Sequence, residues 1–509
     1  MENGIQKALA VLVLGIFVLA GKPGLTAQDQ CAPLLEKAQS LLQQKRAQDA
    51  TQLLQEAVRK CPESAQAYDL LGISYDQQSL YPQAQKAYRK AIALSPEWPG
   101  VHNNLAVSYY RAGMASKAIA EFREALRLDP DNRFAALNLA ENYLERKNYA
   151  RAVRYFQQAD AGASNDPGAL LGLAEAYGGA KNTHASLEVA EKASRLAASN
   201  PKIHFSLGLL FARQGQYARA VAEFQNIAPS DRDFAAYQNL GLALAKLGHT
   251  SQAQTAFEQA LRLDPANPEP YLGLGQSYAA SRRPQEAIYW LSEAHERASE
   301  RPDITFALAE ALIQASQFDR AGSLLADAVK RHPRDAALLQ ARGDLNNRQH
   351  QDGEALKAYQ EALKLDPRQV GARLGMARLD QRLGKTSEAE SVFKSVRQTD
   401  PANGQALAGL GHIALQAGRL AQAEAELRKA VQSAPRNAEA MEDLGTVLIR
   451  RGRYAEAQSI LRKLIRLNPN DSRGHYLLGQ ALLKLGRKEE AGREFARSQQ
   501  LKAATPAAP

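Results

Sequence analysis

Residues able to do chemistry are few in this chain, and poorly placed for catalysis. Gly409-Leu-Gly411-His-Ile-Ala414 has the glycine spacing of a dinucleotide-binding loop. Such a loop works only between a strand and a helix, where backbone N–H groups converge on a pyrophosphate, and no strand pattern precedes it here. The nine histidines are scattered, and none forms the His-x-x-x-His pair that sets two imidazoles on one helix face for a metal. There is no cysteine cluster, no Gly-x-Ser-x-Gly elbow and no phosphate-cradling loop. The expectation is a protein that binds rather than catalyses, with no cofactor, no metal site and no catalytic residue.

The elements that position these residues repeat. In residues 65–98, counted from Ala65 as position 1, Tyr68, Leu71, Gly72 and Tyr75 stand at 4, 7, 8 and 11. Ala84, Tyr88, Ala91 and Pro96 stand at 20, 24, 27 and 32. Steps of three and four place each set on one helix face. The two stripes are separated by a polar break, read as Asp76-Gln77-Gln78-Ser79, and Pro96 stops the second helix because proline lacks an N–H. A hairpin of two such short helices cannot bury its own apolar face and needs neighbours.

This spacing resembles the tetratricopeptide repeat, which has a 34-residue period. Carried along the chain, the frame starts near residues 31, 65, 99, 133, 167, 201, 234, 268, 302, 336, 370, 404, 438 and 472. The predicted fold is all-α, a right-handed superhelical α-solenoid of about fourteen hairpins over residues 28–503, with a tail over 504–509. Asp166-Pro167, Asn200-Pro201 and Asn267-Pro268 each put a capping side chain before a proline at the first helical position. Residues 227–233 run one residue short, and 297–299 lack the terminating proline. Each is a hinge or a locally repaired turn. In this frame Gly409 and Gly411 become helix-packing positions 6 and 8, and His102, His204 and His475 all fall at position 4, as packing residues. Arg342 and Asp380 occupy positions 7 and 11, where Leu and Tyr are expected; their side chains are read as reaching out to water, with a partly buried ion pair or a polar partner site as the alternatives.

The resemblance implies that ligands lie along a concave face lined by positions 2, 5, 9, 12 and 13 of each first helix. These positions give Tyr110, Arg111, Leu137, Glu141, Leu144, Phe205, Leu209, Arg213, Leu242, Lys246, Leu272 and Phe306. Apolar residues at 5 and 9 with basic residues at 13 suit an extended or helical peptide with acidic flanks. The family's carboxylate clamp for chaperone C-termini is not matched: Asn104, Asn138 and Asn239 sit at position 6, but the lysines and arginine of the clamp are missing.

Residues 1–27 fall outside the array. Lys7 precedes thirteen apolar residues, 8–20, and a small-residue cut site ends at Ala27. That core is shorter than the roughly 20 residues that span a bilayer, so it reads as a cleaved secretory signal, with an uncleaved membrane anchor as the alternative. Gln28-Asp29-Gln30 before Cys31 argues against lipid attachment. Cys31 and Cys61, at the start of one helix and the end of its antiparallel partner, should lie side by side, and an exported chain with an even cysteine count supports a disulfide.

With 64 Lys+Arg against 54 Asp+Glu, the net charge of +10 is moderate for 509 residues and does not by itself point to nucleic acid. Residues 438–502 hold 13 basic and 8 acidic side chains, half of that excess, which reads as a solvated cap, with a patch for an acidic partner as the alternative. The functional expectation is a non-catalytic scaffold for a protein or peptide ligand, periplasmic or secreted. The alternative is an accessory of envelope assembly or polysaccharide export that binds an acidic polysaccharide.

Overall fold

The computed structural model describes residues 31–504; the segment 1–27 read as a secretory signal and the end of the tail lie outside them. Among the described residues there are 28 α-helices and no strand. The fold is an all-α repeat solenoid. It forms two compact units, Met1–Pro265 and Ala266–Pro509, each with seven helical hairpins among the described residues. First helices begin at Ala32, Ala65, Pro99, Arg133, Pro167, Pro201 and Phe234 in one unit. In the other they begin at Pro268, Pro302, Ala336, Val370, Gly404, Ala438 and Ser472.

Local chemistry explains the starts. The Ser64 hydroxyl, the Asn132 amide oxygen and the Asp166 carboxylate accept from the N–H groups of Ala67, Ala135 and Gly168, and Pro167 follows its cap directly. Turns between paired helices need a left-handed residue, supplied by Gly113 at φ 76° but by Ser79 at φ 60° in the preceding hairpin. Small residues let the paired helices close: a Cβ on Gly72 would sit 2.4 Å from the Tyr88 ring. Within each unit, every second helix packs on its own first helix and, where one follows, on the next first helix, and neighbouring first helices touch. First helices therefore form the inner layer of each unit.

Several sequence readings change. Asp76 is not part of the break: the helix Ala65–Gln77 runs through it, and its side chain is 2% exposed. Burial is possible because the Tyr88 hydroxyl donates to one carboxylate oxygen at 3.0 Å and the Ser108 hydroxyl to the other at 2.7 Å. Asp380 is likewise buried, at 7% exposure, with Lys385 at 3.9 Å. Arg342 bonds to Glu361, so Arg342 and Asp380 neither pair with each other nor simply reach into water. The short stretch 227–233 is a repaired turn: the helix Tyr217–Asn226 ends early, Pro229–Asp231 forms a 3-10 turn, and Arg232 donates to the carbonyls of Phe224 and Gln225.

The position-4 histidines do more than fill space. His102, His204 and His475 each place Nδ1 within 2.7, 2.7 and 2.5 Å of Glu121, Glu223 and Glu494 on the partner helix. Each Nε2 meets a carbonyl of the preceding turn, from Pro96, Ala198 or Pro469. Both partners are acceptors, so both contacts are hydrogen bonds only when both ring nitrogens carry protons. Burial opposes the charged ring of His102, but the bonds to Glu121 and Pro96 outweigh it and raise its pKa.

Cys31 and Cys61 are joined by a disulfide that ties the two ends of the first hairpin, their Cα atoms 6.5 Å apart. Within Ala266–Pro509, Arg282 donates to the Arg436 carbonyl at 2.7 Å and Arg436 donates to the Ala280 carbonyl at 3.4 Å. Residues more than 150 apart in sequence thus meet across the unit.

Candidate functional site

The inner face of Met1–Pro265 is built from successive first helices whose register places position 12 or 13 of one beside the next. Tyr110, Leu137 and Leu144 are half-buried and pack on the apolar core while keeping one side open. Phe205 lies tilted on Phe224, ring centroids 5.9 Å apart, and Leu209 is half-buried one turn along. Leu242, 38% exposed, and the exposed Lys246 lie on the last first helix of this unit. In the other unit Phe306 is half-buried. Leu272 is the exception: at 8% exposure it serves packing and presents almost nothing to a partner.

Two of the basic residues at position 13 lie near the protein's own carboxylates. Arg213 lies 3.4 Å from Glu175, and Arg111 is close enough to Asp76 to favour its ionised form. At these two positions the basic side chain therefore has a carboxylate of the protein's own nearby. What the face does hold is acid. Burial, with Glu145 and Asp166 nearby, pushes the half-buried Glu141 carboxyl up to about 8, and it forms no ion pair among the described residues. The Tyr110 hydroxyl donates to Glu145, and burial together with that carboxylate raises the phenol. Burial also raises Glu175, against the pull of Arg213. It pushes Asp69 to about 7 even though Asn104 donates to it at 3.0 Å.

The second unit repeats the theme: burial, with Asp344 beside it, pushes Glu310 to about 7. Asp344 in turn accepts from the Tyr359 hydroxyl at 2.6 Å. Sequence reasoning placed Glu141 on this face but did not find the inward-turned Asp69, Asp76 and Asp344. For Asp76 and Asp344 the one signal was an acid at position 12 or 9 combined with Tyr at position 24, as in Asp76/Tyr88 and Asp344/Tyr359.

Tetratricopeptide repeat models match residues 70–133, 103–169, 171–233 and 239–302. A second tetratricopeptide repeat model matches 278–345, 349–413, 382–444, 414–481 and 448–508. The chain belongs to the tetratricopeptide repeat family. A solved structure, the crystal structure of the APC/C hetero-tetramer Cut9-Hcn1, is 14% identical over 92% of this chain and 93% of that one, at a TM-score of 0.47. No curated protein matches the sequence. Tetratricopeptide repeats generally build protein-binding scaffolds. Among the described residues there is no group of three metal-binding side chains and no helix long and apolar enough to cross a membrane.

Proposed function

We propose that this tetratricopeptide repeat protein is a non-catalytic, exported scaffold that holds a protein partner along the inner face of Met1–Pro265. The observation that carries the reading is Glu141. A half-buried carboxyl without a cation, set between the apolar side chains of Leu137 and Leu144 on its own helix, suits a partner segment that brings a basic side chain flanked by apolar ones. Phe205 and Leu209 supply further apolar surface in the same unit. Binding a cation there would lower the Glu141 pKa and release a proton near neutral pH.

The test is affinity capture with the tagged mature chain, residues 28–509, beside Glu141→Lys and Leu209→Asp variants of unchanged helicity. A single protein retained by the parent and lost from both variants supports the reading. Equal retention by all three overturns the site, and a recovered partner without a basic segment overturns its chemistry. Export is tested separately, by fusing residues 1–30 to a reporter active only outside the cytoplasm. Retention of the reporter inside the cell would leave the scaffold reading and remove the exported one.

A further inference from the structure

On the edge of Met1–Pro265, between the third and fourth hairpins, lies a cleft of about 400 Å³ lined by Arg123, Arg146, Arg151, Tyr143, Ser116 and Asn148. Arg123 donates to the Tyr143 hydroxyl at 2.6 Å, and the Arg151 guanidinium lies 5.5 Å from the centre of the same ring. The ring is held from behind, stacked on Tyr155 at 5.6 Å. Two guanidiniums are thus set against one fixed phenol, and a third, that of Arg146, lines the same cleft. No carboxylate lines the cleft, and none of the three forms an ion pair among the described residues.

The protein itself shows what this arrangement lacks. The same place between the twelfth and thirteenth hairpins has Arg428 where the cleft has Arg123, and Arg451 where it has Arg146. There the Glu424 carboxylate sits among Arg428 at 2.8 Å, Arg451 at 2.5 Å and Arg453. Glu456 adds a second negative charge, 2.6 Å from Arg428. In the cleft the residue corresponding to Glu424 is Ile119, and the one corresponding to Glu456 is Arg151. Both internal anions are absent: Arg151 stands in place of one, and Asn148 stands where the other site has Arg453, so each site holds three arginines but only one has carboxylates among them. The junction between the fifth and sixth hairpins obeys the common rule, with Glu191 2.6 Å from Arg219. Like charges packed side by side repel, and guanidiniums bind oxyanions in forked geometry.

We propose that the cleft between the third and fourth hairpins binds a phosphate monoester, whose dianionic group takes the place that the Glu424 carboxylate fills in the equivalent site. Three guanidiniums match a dianion with three terminal oxygens better than a single carboxylate, and the Tyr143 hydroxyl and Ser116 are further polar neighbours. The cleft is large enough for a small organic group beyond the phosphoryl, within the usual range of ligand pockets.

The test is calorimetric titration of the full chain with inorganic phosphate, O-phosphoserine and galacturonate. Saturable binding of both phosphate probes is expected, weakened about tenfold or more by Arg123→Ala and unchanged by Arg219→Ala, whose cation already has Glu191. Ile119→Glu rebuilds the internal anion; it should abolish phosphate binding and raise the thermal midpoint measured without phosphate. If the Ile119→Glu chain fails to fold, the Arg123→Ala and Arg219→Ala comparison still decides. O-phosphoserine binding tighter than inorganic phosphate assigns the ester; equal affinity assigns the free anion as source. Binding that does not saturate, equal losses in Arg123→Ala and Arg219→Ala, or binding of galacturonate alone overturns the proposal.

Discussion

Tyr88 donates its phenolic hydrogen to Asp76 at 3.0 Å, joining the two helices of the second hairpin from within the core. The same carboxylate accepts from Ser108 of the third hairpin, so one buried acid ties together two repeats. Tyr88→Phe should keep the ring packing against Gly72 and lose only the hydrogen bond. It should destabilise by about 1–3 kcal/mol, the cost of under-satisfying a buried polar group. Amide hydrogen exchange in a repeat array resolves hairpins individually, and the loss should appear in the second and third hairpins. Unchanged exchange there would show that the bond contributes nothing.

Stability should fall between pH 5 and 8, unlike that of most folded proteins. Burial holds Asp76 at about 6, Asp69 and Glu310 at about 7 and Glu141 at about 8. A carboxyl raised in the folded state binds protons there that the unfolded chain has already released. Its contribution is complete below the ordinary carboxylate range and is lost as pH rises through each raised value. The raised His102 acts in the same direction above its ordinary value. Thermal midpoints measured at pH 5, 6, 7 and 8 should decline in order, and Glu141→Gln should flatten the last step. A midpoint that climbs from pH 5 to 8 contradicts this account.

Glu223 accepts from Ser194 at 2.5 Å and faces His204 at 2.7 Å, linking the fifth hairpin to the sixth. Glu223→Ala should cost about 2–4 kcal/mol, because it leaves a buried imidazole and a hydroxyl without an acceptor. Glu223→Gln, which keeps an acceptor oxygen, should cost less. Denaturant unfolding monitored by exchange in these two hairpins separates the cases; equal effects would mean that volume, not hydrogen bonding, sets the loss.

Reducing the Cys31–Cys61 disulfide should loosen the first hairpin alone. Closing a loop of this size stabilises by about 3–4 kcal/mol on the chain-entropy view, and this hairpin has a described neighbour on only one side. Cys31→Ser with Cys61→Ser should therefore speed exchange in Ala32–Gln43 and Ala47–Lys60 while leaving Ala438–Arg450 unchanged. Uniform acceleration across the chain would show that the disulfide acts on the whole array.

The all-α repeat fold was legible because it depends on short-range, recurring facts: Tyr, Leu-Gly and Tyr on one face, Ala and an aromatic on the next, and a stop. Leu137, Leu144, Phe205 and Leu209 followed from the same frame, since position on a helix decides which face a residue takes. Asp76 was misread because its burial depends on Ser108, 32 residues away, and polarity by itself looks like a turn. The position-4 histidines were read as fillers because their glutamates lie 19 residues along, on another helix. The arginine cleft was missed for a related reason. Its character lies in the absence of acids at two positions, visible only when the geometry aligns Ile119 with Glu424 and Arg151 with Glu456.

The reciprocal contacts of Arg282 and Arg436 also have a mechanical meaning. A coil of hairpins held only by nearest neighbours is a soft spring, extending smoothly under tension. A clasp between residues so far apart gives Ala266–Pro509 a rest length and a yield point: small loads strain the clasp, and a larger one opens both of its bonds together. In a force–extension trace that release should appear as one early step, absent from Arg436→Ala, before any helix unravels.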